Sequence, residues 1–392
     1  MKIMFAVGSY CPSQDGVAMI TKYLVEGLKK KGHDVFVFTS AGDGGRQILP
    51  KEEVINDVPV KRMRVFVRWP MKLKGIDEES NPQRYIKEIK DYDPDILVVI
   101  CSQTWTLDWL IPHLDEIKCK KVFYSHGFSA MKDHYPIKEL LQKRNVIGAL
   151  RELKTKRYYA KLPSVLEHFD SIIALSELNN SYIYCKERSI PVKILENAIN
   201  SRFLDDDMCH TYEDNKPGLQ FLYVANYNDN KNQEMLLKAF CRANIENCTL
   251  EFTGFEENDY LRKLREEEKE WNHSGNNNVV FNVHLDREQI YKLYKDSDVF
   301  VSVSRSENSP IVHREAAATG MAIISTDTGD VRLLDGIRIV NSDKELTEAI
   351  ETFYNDRNEL SERGKRLRRY MIDRKSTIDD KVDWFEKELL SL

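Results

Sequence analysis

Two glutamates separated by seven residues, Glu307 and Glu315, bracket the part of the sequence best suited to hold a charged ligand. Between them lies Asn308-Ser309-Pro310-Ile311, where Ser309 is a good N-cap and Pro310 suits the first position of a helix. The free backbone N–H groups and positive dipole end of such a helix form an anion site. Carboxylates on both sides of an anion site suit a ligand with hydroxyls at both ends and phosphate between them, which describes a nucleotide sugar.

Glu315 also has a plainer interpretation. It adjoins the alanines at 316–318, and burying a carboxylate there without partners is costly. A Glu315 that faces water, or that pairs with Arg314 or Arg332, needs no ligand. These residues alone leave both interpretations open.

The neighbouring apolar runs predict how the two glutamates are positioned. Residues 299–303 form a β-branched run, an Ala-rich segment ends at Gly320, and a second apolar run covers residues 321–325. This pattern predicts strand, loop, helix and strand, a βαβ unit of a parallel sheet. Glu307 would then lie at the carboxyl end of the first strand, where open α/β sheets hold their ligands.

The same alternation of strands and helices runs through the whole chain, which predicts an α/β fold. The acidic, polar segment 204–218 ends in Pro and Gly, and it is the best candidate for a domain linker. The last residues, 376–392, have an amphipathic helix pattern. Further strands are predicted at residues 2–8, 60–67, 95–100, 121–125, 171–175, 192–195, 219–225, 249–254 and 279–283.

Glu307, Glu315, the Ala-rich helix, Gly320 and the Ala-Ile-Ile-Ser strand together resemble the donor-site signature of retaining GT-B glycosyltransferases, in particular glycosyltransferase family 4. The resemblance covers most of the chain. It implies two Rossmann-like domains facing a central cleft, with the C-terminal helix crossing back to the N-terminal domain. The acceptor-side domain would be residues 1–200 with helix 376–392, and the nucleotide-sugar donor domain residues 201–375.

Lys231 follows a polar loop and precedes a predicted helix, where an ammonium could meet a diphosphate. From composition alone, an exposed lysine is the commoner case. The resemblance implies that Lys231 grips the donor diphosphate together with the backbone of residues 308–311. Asn226 stands where the family usually has an arginine, and it keeps only the neutral part of that hydrogen bond, so the diphosphate contact could be weaker. Arg305 is the candidate replacement.

Four further residues enter through the resemblance. Gly16 opens a predicted helix, where a plain turn glycine is an equal explanation, and its loop would close over the donor. His126 ends a predicted strand, where a structural hydrogen bond is the commoner role, and it would face the donor sugar. Gly254 and His284 would line the nucleotide-base pocket, mostly with backbone.

The implied reaction is metal-independent transfer of a hexose-type sugar from a nucleotide diphosphate donor, first of all a UDP-sugar, to a hydroxyl acceptor with retention. Its setting would be bacterial cell-surface polysaccharide or glycoconjugate synthesis, with no cofactor beyond the nucleotide sugar. Glu307 and His126 would act at the reacting sugar, and Glu315 would bind the ribose diol. Two alternatives stay open: a non-catalytic partner subunit, suggested by Asn226, and a GT-B epimerase or phosphorylase.

Composition excludes several other classes of protein. No apolar run approaches the roughly 20 residues that span a bilayer, and the N-terminus is not a signal peptide. Seven cysteines form no Cys-x-x-Cys pair, which argues against a zinc ribbon or a disulfide framework. The prediction is a cytoplasmic protein of two or three domains with reduced cysteines.

Charge is distributed unevenly along the chain. The first 200 residues carry a net charge of +6 and the remainder −11, which suggests that the N-terminal half meets something anionic. Residues 60–74 and 138–161 are basic, and apolar residues interleave the second segment. A solvated helix face is the plainer interpretation, and docking on anionic lipid at the inner face of the plasma membrane is the sharper one. Nucleic acid is poorly supported because the net charge is −5 and no recognised module is present.

Overall fold

The structure, a computed structural model, describes residues 1–13, 15–42, 49–68, 72–75, 80–128, 137–142, 144–212, 216–271 and 276–392, without the side chains at 66–68, 72–75, 138 and 139. The chain forms two compact units. Met1–Glu196 and Ile378–Leu392 make up the first unit, and Asn197–Thr377 makes up the second. Within the described ranges, no helix is long and apolar enough to cross a bilayer.

The first unit is built on an eight-stranded sheet in the order β10-β9-β8-β7-β1-β2-β4-β3. All neighbouring strands run parallel except β3 and β4, which form an antiparallel pair. Its strands are β1 Lys2–Ala6, β2 Asp34–Ser40, β3 Glu52–Ile55, β4 Val58–Met63, β7 Ile96–Ile100, β8 Lys120–Ser125, β9 Ser171–Ala174 and β10 Lys193–Ile194, while β5 Val65–Arg68 and β6 Lys72–Gly75 form a separate hairpin. The helices are α1 Gly16–Lys30, α2 Pro82–Tyr92, α3 Trp105–Asp108, α4 Ile137–Gln142, α5 Val146–Leu166 and α6 Asn180–Glu187, joined by α13 Ile378–Leu390.

The last helix, α13, belongs to the first unit although the whole second unit precedes it in the chain. Its Phe385 ring lies 6.1 Å from the ring of Phe5 on β1. Its Glu388 is buried and accepts hydrogen bonds from Lys193 Nζ at 2.6 Å and from Ser171 Oγ at 2.6 Å. The amphipathic pattern predicted for residues 376–392 therefore forms a helix that closes one face of the first sheet.

The second unit contains a six-stranded sheet in the order β13-β12-β11-β14-β15-β16, with every neighbouring pair parallel. Strand β11 lies beside β14, so the chain reverses its direction of travel across the sheet between these two strands. The strands are β11 Gln220–Val224, β12 Thr249–Gly254, β13 Asn278–Val283, β14 Val299–Ser302, β15 Ala322–Thr326 and β16 Arg338–Val340. The helices are α7 Gln233–Arg242, α8 Asp259–Trp271, α9 Arg287–Asp296, α10 Ile311–Thr319, α11 Asp343–Asn355 and α12 Arg357–Asp373.

Alternating residues of these strands enter different apolar clusters on the two faces of the second sheet. Val299 and Val301 belong to one cluster, whereas Phe300 belongs to the other. Ile324 and Ile323 divide in the same way. Successive side chains of a strand point to opposite faces, so this division shows that helices cover both faces, as the continuous apolar runs predict.

Two expectations from the sequence need correction. Segment 204–218 is not a linker: the boundary between the units falls at Glu196, and Tyr212 donates hydrogen bonds to the carbonyls of Asp298 and Gly320 within the second unit. A tyrosine and neighbouring apolar residues in that polar stretch provide the anchoring that its overall polarity concealed. The single strand predicted at residues 60–67 is divided into β4 and β5, which belong to different sheets.

Candidate functional site

The segment between β14 and α10 has the predicted strand, loop and helix, but the helix begins one residue late. Pro310 is the N-cap residue, with φ −73° and ψ 122°, and no side chain caps the helix. Ser309, predicted as the cap, is buried, and its hydroxyl has no hydrogen-bond partner among the described residues. The first-turn N–H groups and this hydroxyl therefore both lack a side-chain partner, and polar groups in such a position suit an anionic ligand.

Lys231 and Glu307 meet at the point where the second sheet reverses its strand order. Lys231 lies in the loop after β11 and Glu307 in the loop after β14, and the Lys231 Nζ to Glu307 Oε1 distance is 2.5 Å. Their side chains are 24% and 15% exposed. Loops that leave such a reversal on opposite sides open a crevice at the carboxyl ends of the strands, the usual ligand site of an open α/β sheet.

Hydrogen bonds between the same two loops fix their relative position. The Asn230 side chain donates to the Ser306 carbonyl at 3.0 Å, and the Arg305 N–H donates to the Asn230 carbonyl at 2.7 Å. The Arg305 guanidinium donates to Asn232 Oδ1 at 3.1 Å. The Arg305 guanidinium is thereby held against Asn232, the residue that follows Lys231 in the chain.

Asn226 is exposed, and its backbone carbonyl accepts a hydrogen bond from the Gln233 side chain at 3.1 Å. It follows the carboxyl end of β11, which ends at Val224. The structure therefore keeps this residue at the edge where the site would be, with a neutral group in place of a cation.

Glu315 is buried, which contradicts the interpretation that it faces water. Its Oε1 accepts from Arg287 at 3.1 Å, and its Oε2 accepts from the Tyr294 hydroxyl at 3.0 Å. Burial, reinforced by the charge of Glu315, raises the pKa of Tyr294 well above its usual value, so this hydroxyl stays a donor. Arg314 instead pairs with Asp330 at 2.8 Å. Arg287 and Tyr294 were not predicted as site residues, since neither lies near Glu315 in the chain.

Gly329, also missed, supports the backbone of the Glu307 loop from the end of β15. It has a positive φ of 60°, and a Cβ at this position would lie 2.6 Å from the Asn308 carbonyl oxygen. Only glycine allows both this conformation and this approach. The Thr-Gly-Asp sequence at 328–330 was a turn signal that could have indicated it.

Gly254 and His284 lie at the ends of the neighbouring strands β12 and β13. A Cβ on Gly254 would lie 2.5 Å from the Tyr227 ring, so packing alone requires glycine there. The His284 N–H donates to the Phe255 carbonyl at 3.2 Å, and the two rings are 6.0 Å apart. Phe255 was not predicted, and its ring is 53% exposed at this edge of the sheet.

In the first unit, His126 directly follows β8 and Gly16 opens α1, as predicted. His126 is buried, its ring lies 4.6 Å from that of Tyr124, and burial lowers its pKa to about 4 against the smaller opposing effect of Asp15. Gly16 is the first residue of α1, whose N-cap Asp15 accepts from the Ala18 N–H at 2.9 Å. A Cβ on Gly16 would meet nothing within 4 Å, so packing does not demand this glycine.

The prediction that residues 60–74 form a basic surface is corrected in part. Arg62 is buried and pairs with Glu53 at 2.6 Å, while Lys61 pairs with Glu88 at 2.7 Å. These two cations balance charges inside the first unit and do not form part of a free basic surface. The side chains from 66 to 74 lie outside the described residues.

The described groups of the second unit can bind a diphosphate. Lys231 offers three donors, of which Glu307 engages one, and the helix start adds backbone N–H groups and positive partial charge. A carboxylate has about four acceptor positions, so Glu315 can accept further hydrogen bonds from a diol after those from Arg287 and Tyr294.

Two family profiles match the chain. One, described as "Glycosyl transferases group 1", matches residues 211–370, and the other, "Glycosyltransferase Family 4", matches residues 14–200. The chain belongs to the family 4 glycosyltransferases. This family 4 glycosyltransferase is 27% identical over 350 residues to "Uncharacterized glycosyltransferase MJ1607" of Methanocaldococcus jannaschii, a match that covers 84% of this chain and 81% of that protein.

Two solved structures resemble this glycosyltransferase over its whole length. Sucrose-phosphate synthase from Thermosynechococcus elongatus has a TM-score of 0.72 at 16% identity, with 99% of each chain covered. Anabaena HepE, in complex with UDP-glucose, has a TM-score of 0.67 at 14% identity, with 100% of each chain covered. The predicted GT-B fold of a family 4 glycosyltransferase is confirmed.

Proposed function

We propose that the protein transfers a hexose-type sugar from a UDP-sugar to a hydroxyl acceptor, without a metal ion and with retention of anomeric configuration. The observation that carries this proposal is the meeting of Lys231, Glu307 and the α10 helix start at the strand-order reversal of the second sheet. The UDP-glucose bound to Anabaena HepE supports a uridine donor. The role in bacterial cell-surface polysaccharide or glycoconjugate synthesis stays a prediction from the sequence.

The diphosphate would bind between Lys231 and the first turn of α10. The two donors of Lys231 that Glu307 leaves unused would contact phosphate oxygens, and the unpaired Ser309 hydroxyl would donate a further hydrogen bond. Arg305, held by Asn232, would supply the charge that Asn226 does not. These groups would stabilise the negative charge that develops as the diphosphate leaves, which is electrostatic catalysis by a preorganised site.

The two carboxylates would hold the two ends of the donor. Glu315, fixed by Arg287 and Tyr294, would accept hydrogen bonds from the ribose diol. Glu307 would bind donor-sugar hydroxyls near the reacting carbon. Gly254 and His284 would contribute backbone to the base site, and His126 with the Gly16 loop would serve the donor sugar.

The reaction would proceed by attack of the acceptor on the same face of the sugar that the diphosphate leaves. Among the described residues no side chain of the site stands out as a covalent nucleophile, so a departing phosphate oxygen would take the acceptor hydroxyl's proton. The new glycosidic bond forms as the anomeric carbon's bond to the phosphate oxygen breaks. Analysis of the product's anomeric configuration by NMR tests retention, and an inverted product would refute it.

Calorimetric titration with UDP, GDP and ADP in the presence of EDTA tests the donor site. We expect UDP to bind most tightly, and Lys231→Met and Glu315→Gln each to weaken it by about 10- to 100-fold. Each change removes a hydrogen bond involving a charged group, worth about 1.5 to 3 kcal/mol. Glu315→Gln preserves shape, and therefore tests charge.

Matched controls come from the same unit. Lys344 and Glu348 form an exposed ion pair on α11, at 85% and 54% side-chain exposure. Lys344→Met and Glu348→Gln make the same chemical changes and should leave UDP binding unchanged. Absence of binding by all three nucleotides would refute the donor site and favour a non-catalytic partner subunit, whereas binding only after Mg²⁺ is restored would refute metal independence.

A further inference from the structure

The start of α5 exposes a cluster of large apolar side chains. Of the twelve large apolar residues that are exposed among the described residues, five lie at positions 141–153. Ile147 is 67% exposed and Leu150 is 62% exposed. Single exposed apolar residues are ordinary on protein surfaces, but a contiguous group marks an interaction site. The group on α5 comprises Val146, Ile147, Leu150 and Leu153, here called the apolar face.

Helical spacing places cations beside the apolar face. Positions 146, 150, 153 and 157 follow the spacing of one helix face, which puts Arg157 at its end and Lys154 and Lys161 along its side. All three cations are exposed and form no ion pair with any described residue. Lys156 lies on another side and pairs with Glu152 at 4.0 Å.

The opposite side of α5 is already used by the core of the first unit. Tyr159, Leu162 and Leu166 are buried there, and the Tyr159 ring lies 5.3 Å from that of Phe128. The apolar face therefore cannot turn inward without removing these residues from the core. It must remain in water or be covered by a partner.

We infer that the apolar face of α5, with Lys154, Arg157 and Lys161, docks the protein on an anionic lipid bilayer. An interfacial helix buries its apolar side about 5 to 10 Å into the headgroup region, while basic side chains reach anionic headgroups at roughly 1 kcal/mol each. Apolar residues flanked by unpaired cations match both parts of such a surface. A nucleic acid has no counterpart for the apolar residues, and a second copy of this chain is an outcome that the test separates.

This inference goes beyond the proposed function and does not depend on it, because vesicle binding needs neither donor nor acceptor. If both hold, the enzyme works at a surface that can present a lipid-linked acceptor. The inference assigns membrane contact to fewer residues than the prediction for the whole segment 138–161. Lys156 is not part of the docking surface, because it pairs with Glu152. The side chains of Lys138 and Lys143 lie outside the described residues.

Sedimentation with vesicles of phosphatidylcholine, with and without about one third phosphatidylglycerol, tests the docking. We expect the full chain to bind the anionic vesicles and not the neutral ones. Lys154→Glu with Arg157→Glu should weaken binding at least 10-fold, since two attractive charges become repulsive. Ile147→Gln with Leu150→Gln should weaken it by a similar factor at unchanged charge.

The controls separate docking from general charge and from misfolding. Lys344→Glu with Lys365→Glu changes net charge equally on exposed helices of the second unit and should bind like wild type. The unfolding temperature of every variant should match that of wild type, because the altered residues are exposed. A tryptophan at position 147, made as Ile147→Trp, should shift its fluorescence to shorter wavelength on anionic vesicles.

Three results would overturn the inference. The first is that the wild-type protein does not bind anionic vesicles. The second is that the control Lys344→Glu with Lys365→Glu loses as much vesicle binding as Lys154→Glu with Arg157→Glu. The third is that the fluorescence of Ile147→Trp does not shift when anionic vesicles are added. A concentration-dependent dimer that disappears in Ile147→Gln with Leu150→Gln, without vesicle binding, would assign the apolar face to a second copy of this chain instead.

Discussion

Two glutamates of the second unit, Glu315 and Glu307, are held by their partners in different ways. Glu315 is a buried carboxylate with a charged donor and a neutral donor, one on each oxygen. Such a group stays fixed in orientation, because losing either partner would leave a buried charge incompletely satisfied. Lys231 and Glu307 form a partly exposed ion pair, for which the proposed diphosphate would compete. The Glu315 carboxylate is thus fixed by its partners, whereas the Lys231–Glu307 ion pair can exchange partners.

His126 yields a prediction about the pH dependence of transfer. Burial lowers its pKa to about 4, so the imidazole is neutral from pH 5.5 to 8.5 and would gain a proton only near or below pH 4. We expect the initial rates measured from pH 5.5 to 8.5 to show no change that arises from the protonation of His126. His126→Gln, which can still hydrogen-bond, should keep the wild-type profile and more activity than His126→Ala. If the wild-type rate changed with an apparent pKa near 6.5 and this change disappeared in His126→Gln, His126 would not be a neutral residue that only positions the sugar.

At the scale of elements, the contact between α1 and α13 depends on one glycine. A Cβ at Gly27 would lie 2.5 Å from Val382 Cγ2, and valine is too stiff to turn away. Helix propensity favours alanine over glycine by about 1 kcal/mol. Overpacking costs about 1 to 3 kcal/mol, so we expect Gly27→Ala to lower the free energy of unfolding, by up to about 2 kcal/mol, in urea titrations.

A double-mutant cycle isolates this contact. Val382→Ala alone should destabilise the first unit because it removes buried methyl groups. In the Gly27→Ala background the same change should cost less, since it also relieves the clash. Additive effects of the two substitutions would show that the helices do not meet through this pair.

At the scale of the whole molecule, the first unit is assembled from two separate parts of the chain. Ending the chain at Thr377 removes Val382, Phe385 and Leu389 from that unit's core. Each buried side chain of this kind contributes about 1.5 to 3 kcal/mol, so the sum approaches the total stability of a typical domain. We expect trypsin to degrade residues 1–196 rapidly in this shortened chain while residues 197–377 persist.

A chain ending at Leu390 is the matched control for this truncation. It loses two residues after the last turn of α13 and keeps every buried side chain named above. Its digestion pattern should equal that of the full chain. Equal protection of residues 1–196 in both shortened chains would mean that α13 is dispensable for the first unit.

The alternation of apolar and polar residues predicted most of the strands and helices correctly. The strand at residues 249–254 and the helix stop at Gly320 were placed without error. These features are local. Burial of one or both faces sets the spacing of apolar residues along a strand or helix, and a glycine in the left-handed conformation ends a helix. Local polarity misled at segment 204–218, because the buried Met208 and the half-buried, hydrogen-bonded Tyr212 anchor a stretch that is otherwise mostly polar.

Local patterns in the chain are enough to predict the α/β class, the loop position of Glu307 and the place of Lys231 just before a helix. Which of these groups meet depends on the tertiary fold. Lys231 and Glu307 are 76 residues apart in the chain. They touch because β11 lies between β12 and β14 in the sheet, so the loops that follow β11 and β14 are neighbours. Strand order depends on the packing of the whole sheet, which no local pattern encodes. For the same reason the partners of Glu315, and the exposure of the apolar face on α5, could be read only from the folded chain.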